Sequence, residues 1–300
     1  MKKRRLSPGL CAAFVAAAGC LWGTTGLFVR HFNAVGLTAM NIVELRGIIT
    51  AVVMVALTLC IDPQLLRIRL RDAWCFLGTG LFSILFFNFC YFQTIQTSSM
   101  AVAATLLYTS PVFVMVLSLW LFGEKLSLKK IAALALALTG CVLVSGVLTG
   151  GGLTLQGFML GMGAGLGYAL YSIFSRFALL RGYHSMTITS YTFIFSTVGG
   201  LFFIDLPAIR GAVAADGLSL VWLLIAYAVV TTVLPYILYT VGLTGVENSK
   251  ASVIASVEPV MAALLGLVAF HEIPDLPAVI GILLVLTAVV VLNVSQKKET

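Results

Sequence analysis

Glu258 and Pro259 stand side by side inside the apolar stretch ASVIASVEPVMAALLGLVAFHE, Ala251 to Glu272. At about 1.5 Å per helical residue, Glu258 falls near the midplane of a hydrocarbon layer about 30 Å thick. A carboxylate at that depth costs about 2.5 kcal/mol or more, and is tolerated chiefly where it faces a cavity or a partner. Such a group can bind the amine of a substrate, carry a coupled proton, or both; a structural carboxyl bonded to a neighbouring helix is the plainer alternative. Pro259 has no N–H, so a helix running through it leaves the carbonyl of Ala255 without its donor and open to another partner.

Glu44 and Arg46 form a second candidate site. Two positions apart, they project about 200° apart on a helix and cannot share a face. An arginine inside a membrane needs an anion, which Glu258, a substrate carboxylate or a helix end can supply; a structural tie between helices is the alternative. The polar aromatics come next. Asn88 and Tyr91, Tyr168 and Tyr171, and Tyr236 and Tyr239 are pairs three residues apart, each sharing a helix face. Trp22 aligns with Tyr168, and Tyr108 lies three residues before Pro111. Rings with one polar tip suit a cavity that binds amphipathic solutes weakly enough to release them; anchoring at the membrane interface is their other common use. Pro235 opens a further helix gap at the carbonyl of Thr231, with no proline at the matching Phe87.

Other patterns carry packing rather than chemistry. His31, His184 and His271 fall in different loops, too far apart to suggest a metal. Cys11, Cys20, Cys60, Cys75, Cys90 and Cys141 lie in or beside apolar runs without CxxC spacing, and read as small hydrophobes. The Gly161, Gly163, Gly165, Gly167 run has no flanking strand and no Lys-Ser/Thr, so it is no nucleotide loop. Gly157, Gly161 and Gly165, like Gly19 and Gly23, instead have the spacing that lets helices approach closely. No cofactor is expected.

The elements that must position these residues are membrane helices. Of 300 residues, 60% are hydrophobic and 10% charged, and the mean hydropathy of +1.08 excludes a soluble domain with an ordinary surface. Apolar windows predict ten spans, at 10–29, 38–60, 73–95, 100–121, 130–149, 156–175, 186–205, 218–241, 249–270 and 276–295. With the N-terminus in the cytoplasm, fifteen Lys and Arg fall on that side, among them Lys2, Arg67, Lys130, Arg176, Lys250 and Lys298. Only Arg30 and Arg210 fall opposite. This positive-inside bias places both termini in the cytoplasm and accounts for the net charge of +7 without nucleic acid. The four basic residues before the first apolar run, and Ala17-Ala18-Gly19-Cys20 within it, resemble a secretion signal, but removing that segment would leave an odd number of spans. It is read as a retained first helix.

Residues Trp74 to Ser145 match those 148 positions later without a gap. Trp74 falls on Trp222, Tyr91 on Tyr239, Pro111 on Pro259, Glu124 on Glu272 and Thr139 on Thr287, while Ser110 is the neutral mate of Glu258. The chain thus divides at 150/151 into halves of five spans each, an odd number, so the second half enters the membrane the other way up. Inverted repeats are a device of secondary transporters, with the substrate held between the halves. The paired stretches LYTSPVFVMVLSLWLFGEKLSLKKIAALALALTGCVLV and IASVEPVMAALLGLVAFHEIPDLPAVIGILLVLTAVVVL, with the opening LWGTTGLFVR, resemble the two EamA-type repeats of the drug/metabolite transporter superfamily. The resemblance covers nearly the whole chain. It implies ten helices in two inverted bundles around a central cavity, and transport, usually export, of a small molecule. Two departures are visible: His271-Glu272 stands where the pattern has Gly-Glu, and Pro274 and Pro277 follow it.

The expected function is secondary transport of a small organic solute, an amino acid or related metabolite, across the cytoplasmic membrane, with one chain sufficient. An intramembrane enzyme would need a nucleophile–base pair or a metal cluster at membrane depth, and a channel would show matching polar rings in both halves. Neither pattern is present in the sequence.

Overall fold

The computed structural model describes residues 6–145, 147, 154–271, 273 and 275–294, and these are mostly helical with no strand among them. Glu272, Pro274, the basic residues Lys2 to Arg5, Lys297 and Lys298, and the 150/151 junction lie outside the described residues. Each of the ten expected spans coincides with a helix or with two helices in line. The first pairs α1 (Pro8–Gly23) with α2 (Thr25–Ala34), and α3 (Ala39–Ile61) is the second. The third is α4 (Ala73–Leu77) and α5 (Phe86–Thr97), joined by a π-helical stretch over Gly78–Leu85. The fourth is α6 (Met100–Leu107) and α7 (Ser110–Phe122), and the fifth is α8 (Leu128–Val144). The second half follows with α9 (Leu155–Leu180), α10 (Ser185–Gly200), then α11 (Leu206–Ala228), which is broken by a kink at left-handed Gly217, and α12 (Leu234–Gly242), joined to it by a π-helical Val229–Val233. Last come α13 (Asn248–Ala255), α14 (Glu258–Phe270) and α15 (Leu276–Val294).

Eight of these segments are long and apolar enough to cross a membrane, and Leu276–Leu292 is a shorter apolar helix. Large apolar side chains face outward, Phe202 at 92% and Trp120 at 81% exposure, as lipid-facing residues do in a protein without a polar shell. The chain is a multi-pass membrane protein. His31, expected in a loop, lies within α2, where its Nε2 is 2.9 Å from the Asp216 carboxylate.

The two halves repeat their irregularities as well as their sequence. α6 stops before Tyr108-Thr109 and α13 before Ser256-Val257, 148 residues on. The proline that follows each gap sits in the first turn of the next helix, where its missing N–H and fixed φ fit. α7 ends on left-handed Gly123 and α14 on left-handed His271, again repeat mates.

The fifth helices of the two halves, α8 and α15, pack closely and antiparallel, as inverted halves require. A Cβ placed on Gly140 would lie 2.7 Å from the Gly281 carbonyl oxygen and 3.0 Å from the Val285 nitrogen, and one on Gly281 would lie 2.6 Å from the Gly140 carbonyl oxygen and 2.9 Å from side-chain atoms of Leu143 and Val144. α1 lies against α12, α13 and α14, with Cys11, Val15 and Ala18 buried in one cluster with Tyr239, Leu243 and Ile254.

Candidate functional site

The gap between α13 and α14 places Glu258 at the first residue of a half-helix, where the carboxylate is favourable to the helix dipole. This opening is wider than a single lost hydrogen bond at Pro259. The chain leaves the helix over Ser256-Val257, with turn bonds from Ser256 N to Val253 O and from Val257 N to Ile254 O. α1 backs the gap closely because it presents glycine there. A Cβ on Gly19 would come 2.8 Å from the Ala255 carbonyl oxygen, and one on Gly23 2.7 Å from that of Glu258. α9 does the same for the matching gap, since a Cβ on Gly165 would lie 2.9 Å from the Leu106 carbonyl oxygen. Glycines of α1 and α9 therefore let these helices back the two breaks closely.

Between the breaks lies a small, partly open hollow. Leu107, Tyr108, Ser110 and Pro111 line it from the first half, and Tyr168, Ser252, Ala255, Ser256 and Glu258 from the second. The Tyr168 hydroxyl donates a 3.1 Å hydrogen bond to Glu258 Oε2. A second small hollow shares Tyr168 as a wall and adds Trp22, Ser83, Ile84 and Phe87 with Tyr171, Ser172, Tyr236 and Tyr239. Trp22 is the hub of its aromatic wall, with its ring centroid 5.3 Å from Tyr236, 5.4 Å from Tyr239 and 6.1 Å from Tyr168. Two of the tyrosine tips are held: Tyr171 Oη lies 2.8 Å from Thr240 Oγ1, and Tyr239 Oη lies 2.6 Å from Ser172 Oγ.

The structure thus brings together Glu258, Tyr108, Ser110, Pro111 and Tyr168 in one cavity, and Trp22, Tyr168, Tyr171, Tyr236 and Tyr239 in the other. Neither lining includes Asn88 or Tyr91. Asn88 is buried and donates 2.7 Å to Ile84 O one turn back, and the Tyr91 ring packs 5.8 Å from that of Phe87. Pro235 is buried at the start of α12, behind the π-helical stretch. Arg46 and Glu44 lie outside both linings and diverge as their spacing requires. Arg46 Nη1 donates 3.3 Å to the Tyr227 hydroxyl. Glu44 is 2% exposed, its carboxylate lies against Gly200, and neither oxygen has a hydrogen-bond partner among the described residues.

Ser252 and Ser256 were not legible as lining residues, although Ser249, Ser252 and Ser256 recur at helical spacing on the face that carries Glu258's cavity. Ile84 and Phe87 gave no signal, being apolar residues in an apolar helix.

The EamA-like transporter family model matches this chain twice, over residues 8–146 and 155–294. An uncharacterized transporter of Archaeoglobus fulgidus is 31% identical over 281 residues, covering 93% of this chain and 94% of that protein. The uncharacterized transporter YetK of Bacillus subtilis is 26% identical over 261 residues, 85% of this chain and 78% of its own. A solved crystal structure superposes with a TM-score of 0.76 over 97% of this chain and 99% of that one, at 20% identity, a likeness of fold alone. The chain belongs to the EamA-like transporter family.

Proposed function

We propose that the protein is a secondary transporter that carries a small organic solute across the cytoplasmic membrane by alternating access, with both termini in the cytoplasm and export as the working direction. The observation that carries this reading is the make-up of the cavity wall: both helix breaks, Leu107 to Pro111 and Ala255 to Glu258, contribute to one hollow between inverted halves. Rocking one half against the other exposes such a hollow to either side in turn. Glu258 is its one carboxylate, and it serves as the ion- or amine-binding group, with proton exchange at that carboxyl as the coupling step. Tyr168 orients it, and Trp22, Tyr236 and Tyr239 hold the apolar part of the solute.

Reconstitution into proteoliposomes tests this directly. A panel of amino acids, amines and organic acids would be offered with and without a pH gradient. Uptake of at least one solute is expected, stimulated by the gradient and reduced at least about tenfold in Glu258→Gln. Uptake that Glu258→Gln leaves unchanged at every pH would overturn the reading.

A further inference from the structure

Resting on that transport reading, we infer that the site selects organic monocations, amines or quaternary ammonium compounds with an apolar body, and discriminates against amino acids and organic acids. The inference starts from the inventory of charge. Across the two cavities Glu258 is the one acid, and neither lining contains a lysine, arginine or histidine. The Arg46 guanidinium lies outside both linings, donating from Nη1 to the Tyr227 hydroxyl at 3.3 Å with that ring centroid 5.5 Å away, while its buried Nε has no hydrogen-bond partner among the described residues.

A half-helix N-terminus can hold an anion through its free amides, but at both breaks some of those amides are missing or already bonded. Pro111 and Pro259 have none, Val112 N–H is bonded to Thr109 O at 2.9 Å, and Met261 N–H to Val257 O at 3.0 Å. A substrate carboxylate would meet no basic side chain in either lining and would lie next to Glu258.

A cation finds the opposite. Trp22, Tyr236 and Tyr239 converge with their centroids within 5.4 Å of the Trp22 ring, and Tyr168 joins this cluster to the carboxylate. Aromatic faces attract a cation within about 6 Å, and most strongly when the cation has shed its water. The two hollows read as one site: the apolar body lies among the rings, and the charged end at Glu258.

Three probes with one ring and different charge decide it: phenethylamine, phenylalanine and phenylacetate, measured by equilibrium binding to the full-length protein in detergent. Phenethylamine is expected to bind at least about tenfold more tightly than phenylalanine, with phenylacetate weakest. Trp22→Leu and Glu258→Gln should each weaken the amine, while Glu258→Asp keeps the ranking and all three variants keep a cooperative melt. Phenylalanine binding as tightly as the amine, binding of phenylacetate, or no binding of any probe at millimolar concentration would overturn the inference. The two readings separate cleanly. Glu258-dependent uptake of amino acids would leave transport standing and remove the charge class, whereas an amine that binds but is never moved would do the reverse.

Discussion

The carboxylate of Glu124 accepts a 2.8 Å hydrogen bond from the backbone nitrogen of Asn248, so an acid of the first half caps a helix of the second. It also accepts from Ser249 N at 3.2 Å and from the Ser249 hydroxyl. The reason lies in the residue before the helix. α6 is capped by its own Ser99, whose side chain accepts from Val102 N at 3.2 Å, but the repeat mate of Ser99 is Glu247, whose side chain makes no such bond. Glu247 turns instead to Lys130 of α8, 2.7 Å away, and Lys130 is only 5% exposed. Removing Glu124 strands two helix amides and the hydroxyl of Ser249. Glu124→Ala is expected to cost about 3 kcal/mol, read as a lower melting temperature in detergent; a melt within a degree of the parent would refute the capping role.

The same corner predicts a pH dependence. Burial pushes the Glu247 carboxyl up, but Lys130, by hydrogen bond and charge, and then Lys250 outweigh it and hold Glu247 below its ordinary value of 4.5. A carboxyl with a lowered folded pKa adds stability that is present above the ordinary value and is lost as the pH falls through the folded one. Melting temperature should therefore drop with acidification below about pH 4.5. Lys130→Met should flatten that part of the profile, and an identical acid limb in the variant would contradict the pairing.

His271 holds the left-handed conformation at the end of α14, φ 55°, that Gly123 holds at the end of α7, φ 64°. A side chain pays roughly 1 kcal/mol for that geometry and glycine does not. The departure from Gly-Glu visible in the sequence is thus a strained cap with the same backbone. His271→Gly is expected to raise stability by about 1 kcal/mol, and Gly123→Ala to lower it by about the same amount; opposite signs would show that His271 makes contacts outweighing the strain.

Much of this architecture was legible in the sequence, because the signals that specify it are periodic and long. Ten apolar runs, the 148-residue offset and the GxxxG spacing each involve many residues, and Glu258 was conspicuous as an acid in an apolar run. What escaped was whatever depends on contact between distant segments. The sequence placed Asn88 and Tyr91 on one face, but not whether that face met the cavity; Asn88 satisfies its own helix instead. It marked Pro259 as a single missing donor, whereas the helix breaks over two residues. Arg46 was known to need a partner, and the structure supplies a phenol, Tyr227, rather than an anion.

Tyr168 connects the carboxylate to the rings, which makes the hydroxyl and the ring separable by substitution. Tyr168→Phe keeps the edge contact with Phe87, at 5.5 Å, and with Trp22, but removes the donor to Glu258. A hydrogen bond to a charged group contributes about 1.5 kcal/mol or more. Transport efficiency is expected to fall about tenfold with the melting temperature nearly unchanged, and Tyr168→Ala to lose more, together with stability. Equal effects from Phe and Ala would show that the ring, not the hydroxyl, does the work.

The close approach of α1 to the α13–α14 break offers the sharpest test of how Glu258 is placed. A Cβ at Gly23 would meet the Glu258 carbonyl oxygen and the Met261 Cβ, both at 2.7 Å, and these belong to backbone and to the base of a side chain, which cannot swing aside. Overpacking of this kind costs about 1–3 kcal/mol, and here the strain falls on the first turn of the half-helix that begins with Glu258. Gly23→Ala should therefore depress both stability and transport, with transport falling further than the loss of folded protein explains. Gly9 lies in the same helix with nothing within 4 Å of its Cβ position, so Gly9→Ala should change neither property. If Gly23→Ala transported normally per folded molecule, the fixed distance between α1 and the break would be irrelevant to the site, and the rigid backing inferred for Glu258 would have to be abandoned.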